Sequence, residues 1–231
     1  MPGCDRRAAT SVSIAAPVET DGCLHVFDMD GTLLMSTATV ELARQFGRLE
    51  DGLEIERLWY EGNISDTDFW TRLLGICEDA TMADFDAAFH NSPWMEGIAE
   101  VFADIRSRGE AVIVISQSPI FFVRRLEFWG AHETHGSAVE PGLLLSASAT
   151  LLPETKVTIT QAALTARSLG ANDCIIYGDS TSDLGLFTAF SRTVAVNATP
   201  TLAALAASRY VGSDIREAYA MGRQLIGAAA K

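Results

Sequence analysis

HVFDMDGTLL, residues 25–34, carries an apolar strand directly into two aspartates, a glycine and a threonine. Aspartate is depleted from strands, and its carboxylate is costly to bury without a partner. Residues two apart in an extended chain point to the same side, so Asp28 and Asp30 share a face. A turn is the plain explanation. The sharper one is a strand end that aims two carboxylates into a site. With Asp and Thr each near one residue in twenty and Gly near 7%, DxDGT begins by chance about once in 10⁵ positions.

Working outward, short apolar runs recur at CLHVFDM (23–29), AVIVIS (111–116), DCIIYGD (173–179), TVAVN (193–197) and RYVG (209–212). Helical spacing follows in SPIFFVRRLEFWG (118–130), with Gly130 as its stop, in TSDLGLFTAF (181–190) and in TPTLAALAAS (199–208). Unbroken apolar strands alternating with helices predict an α/β fold, a parallel sheet with helices on both faces. Ligands of such sheets bind at the carboxyl ends of the strands, where Asp28, Ser116 and Asp179 all fall. Between the first two strands, residues 38–92 read as four helices: TVELARQFG, LEIERLWYEG, DTDFWTRLLGIC and MADFDAAF. No crossover needs so many residues, so this is read as an inserted helical subdomain. Ile55, Leu58 and Trp59 follow i, i+3, i+4 spacing; they, Phe69 and Trp70 are read first as its core, and as pocket lining second.

The bulk numbers bound the rest. A chain of 231 residues that is 48% hydrophobic and 20% charged buries an ordinary core. Its net charge of −13 lacks the basic stripe of a nucleic-acid binder and does not suit an anionic membrane surface. No apolar run is long enough to span a bilayer. Residues 1–22 are read as a flexible tail, since no sustained apolar stretch follows Arg6 and Arg7. Cys4, Cys23, Cys77 and Cys174 are scattered without metal-ligand spacing, which fits reduced thiols and a cytoplasmic location. His25 is read as structural rather than catalytic, and Cys174 as core.

Four pieces need one explanation: DMDGTL (28–33), VISQS (114–118), ETK (154–156) and GDSTSD (178–183). Alone, Ser116 is a turn residue, Lys156 a surface lysine in a loop, and Asp179 with Asp183 a solvated helix start. In this order the set resembles the haloacid dehalogenase-like superfamily of phosphatases and phosphotransferases, over nearly all of the chain after residue 23. The layout is most similar to its phosphoserine phosphatase-like branch. That resemblance implies a Rossmann-like catalytic core at 23–37 and 93–231, with a small all-helical C1 cap at 38–92. It implies Asp28 as nucleophile, giving an aspartyl-phosphate, and Asp30 as general acid and then base. Ser116, Lys156 and Thr32 would bind the phosphoryl group. Mg²⁺ would be held by Asp28, the Asp30 backbone carbonyl and Asp179, with Asp183 holding a metal-bound water or pairing with the lysine.

The substrate implied is a small phosphate ester: a sugar, cyclitol, polyol or amino-alcohol phosphate. L-phosphoserine is the alternative, but that branch places a glutamate soon after the first motif for the substrate ammonium. Here MSTATVE (35–41) has Thr37 near that position and Glu41 a turn later. An unpaired buried charge costs several kcal/mol. The candidates for substrate contact are Gln117, Arg44 and Arg72. Asp30 argues against dehalogenase chemistry, which manages with a single aspartate. A phosphotransferase and a catalytically silent binding module remain as other readings, with the protein a monomer or a homodimer.

Overall fold

The computed structural model describes residues 22–146 and 148–228. Apart from Gly22, the expected N-terminal tail lies outside the described residues, as does Cys4. Six strands form one parallel sheet: β1 (Leu24–Phe27), β2 (Ala111–Pro119), β3 (Glu133–Ser137), β4 (Cys174–Gly178), β5 (Thr193–Val196) and β6 (Ser208–Tyr210). Their order is β3-β2-β1-β4-β5-β6, so β1 lies between β2 and β4. Phe27 is in register with Val114 on one side and Tyr177 on the other. The strand order reverses at the β1/β4 boundary, where sheets of this kind open a crevice at the carboxyl ends.

The helices are α1 (Ala38–Gln45), α2 (Leu49–Tyr60), α3 (Asp66–Ile76), α4 (Met82–Asn91), α5 (Ile98–Ser107), α6 (Ile120–Val123), α7 (Pro153–Ala166), α8 (Leu184–Ala189), α9 (Pro200–Leu205) and α10 (Ile215–Ala228). Successive residues of a strand face opposite sides, and here both sides are buried. Leu24, Val26, Ile113 and Ile176 pack with Leu164, Phe187 and Leu202 from α7, α8 and α9. Phe27, Val114, Tyr177 and Val196 face the other way, toward Phe102 of α5 and Ala218 of α10. That second cluster continues without a break into Leu42, Ile55, Phe69, Leu73 and Phe89 of α1–α4. The four helices expected after the first strand are therefore present, with their apolar stripes joined to the sheet's core.

Three details differ from expectation. The edge strand β3, ETHGS, has no apolar run, and among the described residues it pairs with β2 alone. The helix expected over 118–130 is mostly not α: β2 runs on to Pro119, α6 makes one turn, and a 3₁₀ segment (Arg124–Trp129) ends at Gly130, φ +106°. Lys156 lies in the first turns of α7 rather than in a loop. Cys23, Cys77 and Cys174 are free and buried. Among the described residues, no helix is long and apolar enough to cross a membrane.

Candidate active site

Asp28 follows β1 directly, and its backbone N–H donates to the Tyr177 carbonyl at 2.9 Å, extending the ladder with β4 by one bond. The chain then turns sharply at Gly31, φ +76°. A Cβ there would lie 2.2 Å from Oδ2 of Asp179, so only glycine lets the first turn and the β4 loop close on each other. The Asp30 carboxylate turns to the start of α1: Oδ1 accepts the Ala38 N–H at 2.9 Å. The Ser118 hydroxyl donates to Oδ2 at 2.5 Å, and Ser116 reaches the same oxygen at 3.4 Å. A helix N-terminus and two hydroxyls thus fix the orientation of Asp30.

Lys156 is fully buried. Its ammonium has three N–H donors, and all are used: on Asp183 Oδ1 at 2.7 Å, Asp28 Oδ1 at 2.9 Å and Ser182 Oγ at 3.1 Å. Burial alone would lower the lysine's pKa, but Asp183 and Asp28 outweigh it and hold the ammonium above its ordinary value. Asp183 also accepts the Asp179 N–H at 3.2 Å. The pairing with the lysine, one of the two roles expected of Asp183, is therefore present.

The electrostatics divide the four aspartates. Burial pushes Asp28 upward against the pull of Lys156. Burial also raises Asp30, to about 6, with the Ser118 hydroxyl pulling it down and the Glu56 carboxylate pushing it up. Asp179 is pushed up to about 9, by burial first and then by the charges of Asp28 and Asp183. Carboxylate oxygens of Asp28, Asp179 and Asp183 lie within 4.8 Å of one another. Three crowded carboxylates against one ammonium leave an uncompensated negative charge, which a cation would relieve. An all-oxygen donor set suits a hard divalent ion, so these residues fit the metal that the sequence implied.

Asp28, Asp30 and Asp179 open onto a cavity of about 330 Å³ between the strand ends and α1–α3. Asp28, Asp30, Ser116, Gln117 and Asp179 line it. Gln117 is itself tied down, its amide donating to the Leu151 carbonyl at 3.1 Å. Five of the sequence candidates do not line it: Asp183, fully buried against Lys156, and four others. Thr32 is fully buried and turns its hydroxyl to Asp179 at 3.5 Å rather than to the cavity, and Lys156 has spent its donors. Arg44 pairs with Glu41 at 3.0 Å and is half exposed, while Arg72 sits on the exposed side of α3. Neither arginine contacts the space the aspartates face.

Several lining residues escaped the sequence reading: Ser118, Glu56, Tyr60, Asp66 and Thr150. Ser118 had a usable signal, because it lies two residues beyond Ser116 on the same side of the extended chain. Trp59, Phe69 and Trp70 are both core and lining: Phe69 and Trp70 are buried, and all three face the cavity.

Comparison with known proteins agrees with this fold. A phospho-aspartyl intermediate analogue of phosphoserine phosphatase is similar in fold (TM-score 0.68, 21% identity), covering 85% of this chain and 96% of that one. A probable phosphoserine phosphatase from Vibrio cholerae matches with TM-score 0.68 and 18% identity, over 89% of this chain and 66% of its own. The cobalt-bound deoxy-D-mannose-octulosonate 8-phosphate phosphatase of Haemophilus influenzae matches with TM-score 0.53 and 14% identity, over 91% and 92% of the two chains. At such identities the likeness is one of fold. No curated protein matches the chain in sequence. The family model for haloacid dehalogenase-like hydrolase matches residues 25–188, from β1 through most of α8, and takes in Asp28, Asp30, Ser116, Lys156, Asp179 and Asp183. By that match, over most of its length, the chain belongs to the haloacid dehalogenase-like hydrolases.

Proposed function

We propose that the protein is a Mg²⁺-dependent phosphomonoesterase that hydrolyses a small phosphorylated metabolite through an aspartyl-phosphate. The observation that carries this reading is the pairing of Asp28, held by Lys156, with Asp30, held by Ser118 and the α1 N-terminus, on one cavity. The phospho-aspartyl state named for a phosphoserine phosphatase of the same fold supports it.

In the first half-reaction an Asp28 carboxylate oxygen attacks phosphorus, and the bond from phosphorus to the ester oxygen breaks. Asp30 gives its proton to the departing alkoxide. In the second half-reaction Asp30 takes a proton from water as that water attacks the same phosphorus, releasing inorganic phosphate and free Asp28. A carboxyl raised to about 6 is suited to both duties near neutral pH. Lys156 keeps Asp28 oriented and offsets the charge of Asp28 and Asp183. Ser116 and the backbone amides of the β1 turn are the donors for the phosphoryl oxygens. Asp28, Asp179 and the Asp30 carbonyl would hold Mg²⁺, which when bound supplies positive charge for the transferring phosphoryl group. Helices α1–α4 act as a cap that keeps bulk water from the site.

The test is turnover of p-nitrophenyl phosphate and of a panel of phosphate esters. Asp28→Asn and Asp28→Ala abolish it with the circular dichroism spectrum unchanged. EDTA silences the wild type and Mg²⁺ restores it. Full activity in either variant would remove the covalent route, and metal-independent turnover would remove the ion. Transfer of phosphate to an added alcohol in preference to water would make the protein a phosphotransferase.

A further inference from the structure

The far wall of the cavity is built from two helices that repeat one pattern. On α2, Glu56, Trp59 and Tyr60 follow i, i+3, i+4 spacing; on α3, Asp66, Phe69 and Trp70 do the same. All six line the cavity. The two sets are joined, since Trp59 Nε1 donates to Asp66 at 2.8 Å, and Trp70 Nε1 ties α3 to Thr150 at 2.8 Å. Phe69 packs edge-on to Trp70 at 4.7 Å and tilted against Trp59 at 5.6 Å, so the aromatic lining is mutually braced.

Glu56 is fixed close to the reacting groups. The Thr37 hydroxyl donates to it at 2.8 Å, and Ala38, the next residue, donates its N–H to Asp30. Among the described residues, neither Glu56 nor Asp66 is paired with a cationic side chain; Glu56 accepts from Thr37 and Asp66 from Trp59. The lining as a whole holds five carboxylates and no lysine, arginine or histidine. Burial pushes Glu56 above the ordinary glutamate range, against the pull of the Thr37 and Thr39 hydroxyls. Mg²⁺ would offset the charge at Asp28 and Asp179, but nothing in the lining offsets Glu56 and Asp66.

We infer that the organic part of the substrate carries that missing charge: the substrate is the phosphate ester of a small amino alcohol, with its ammonium on Glu56 and against the rings of α2 and α3. Aromatic faces attract organic cations, and a desolvated carboxylate adds to that attraction. The same lining disfavours L-phosphoserine, whose carboxylate would meet other carboxylates and no cation. Glu56 thus supplies from α2 the ammonium partner that is absent from MSTATVE. This inference rests on the phosphomonoesterase reading.

The experiment compares esters that differ only in charge. Ethanolamine phosphate is set against n-propyl phosphate, and choline phosphate against the isostere in which tert-butyl replaces trimethylammonium. In at least one pair the cationic ester has the higher kcat/KM by about tenfold or more, and L-phosphoserine trails ethanolamine phosphate by at least as much. Glu56→Gln brings the cationic-to-neutral ratio to within about threefold. Ratios near one in both wild-type pairs, or L-phosphoserine equal to ethanolamine phosphate, overturn the inference and leave the phosphomonoesterase standing. So does a ratio that survives Glu56→Gln. Binding of the same pairs to Asp28→Asn with Mg²⁺, read by quenching of tryptophan fluorescence, needs no turnover. If no ester is hydrolysed, the phosphomonoesterase reading falls. Tighter binding of the cationic ester then still upholds the cation site, and equal binding removes it.

Discussion

At the scale of single residues, the two aspartates of the first turn differ in what holds them. Asp28 is paired with an ammonium, whereas Asp30 is held by hydroxyls and one amide, and its pKa is raised to about 6. A group that donates a proton matters most when the leaving group is a poor one. Asp30→Asn therefore lowers kcat/KM for an alkyl phosphate by about 10²–10⁴-fold, and lowers it much less for p-nitrophenyl phosphate, whose phenolate leaves unaided. Equal losses on both esters would assign Asp30 a merely structural place. Asp28, Asp30, Asp179 and Lys156 were legible because each belongs to a short motif whose strand or helix delivers it to one edge. Glu56 was not. In sequence it is one charged residue on an amphipathic helix already rich in Glu and Arg, and only the folding of α2 over the strand ends makes it a lining residue.

At the scale of elements, legibility followed burial. β1, β2, β4 and β5 are buried on both faces and read as unbroken apolar runs, while β3, at the edge, is written in polar residues. The helices differ in another way: α2 and α3 line the cavity, whereas no residue of α4 does. α3 and α4 begin with the same device, a hydroxyl cap and an aspartate three residues on that return hydrogen bonds to each other's N–H, Ser65 with Asp68 and Thr81 with Asp84. Removing either hydroxyl leaves an N–H group without its partner. Ser65→Ala and Thr81→Ala each lower the unfolding free energy by about 1 kcal/mol in urea titrations. Their kinetics separate. Ser65 adjoins Asp66 in the cavity wall, so Ser65→Ala raises KM, whereas Thr81→Ala leaves KM at the wild-type value. A rise in KM for both would mean that the helical segment moves as one stiff body.

At the scale of the whole molecule, the sheet is tied at the end opposite the catalytic one by a buried polar network. His25 of β1 is fully buried, with Nδ1 3.2 Å from the Tyr177 hydroxyl and Nε2 3.0 Å from Glu110. Arg223 of α10 donates to the same Glu110 at 2.6 Å. Because Arg223 already supplies the positive charge that Glu110 needs, a neutral imidazole satisfies every partner, with Nε2–H donating to Glu110 and Nδ1 accepting from Tyr177. Burial lowers the pKa of His25 below its ordinary value, with Arg223 adding to that and Glu110 opposing it. The unfolded chain has no such restraint and takes up the proton near pH 6.5. Between the depressed folded value and about 6.5, the unfolded state therefore binds a proton that the folded state refuses, so stability rises with pH across that window and levels off above it. The raised carboxyls of Asp30 and Asp179 act with the opposite sign in this range, so the measurement is urea unfolding of the wild type against His25→Gln. The unfolding free energy of the wild type relative to that variant falls as the pH drops from about 7 toward 5, and the folded His25 imidazole titrates below its unfolded value. A His25 that titrates above about 6.5 would mean that the network holds an imidazolium. The slope would then reverse, because a raised folded pKa adds stability on acidification and loses it as pH rises through that value. The sign of one slope therefore decides which charge state ties β1, β4 and α10 together beneath the site.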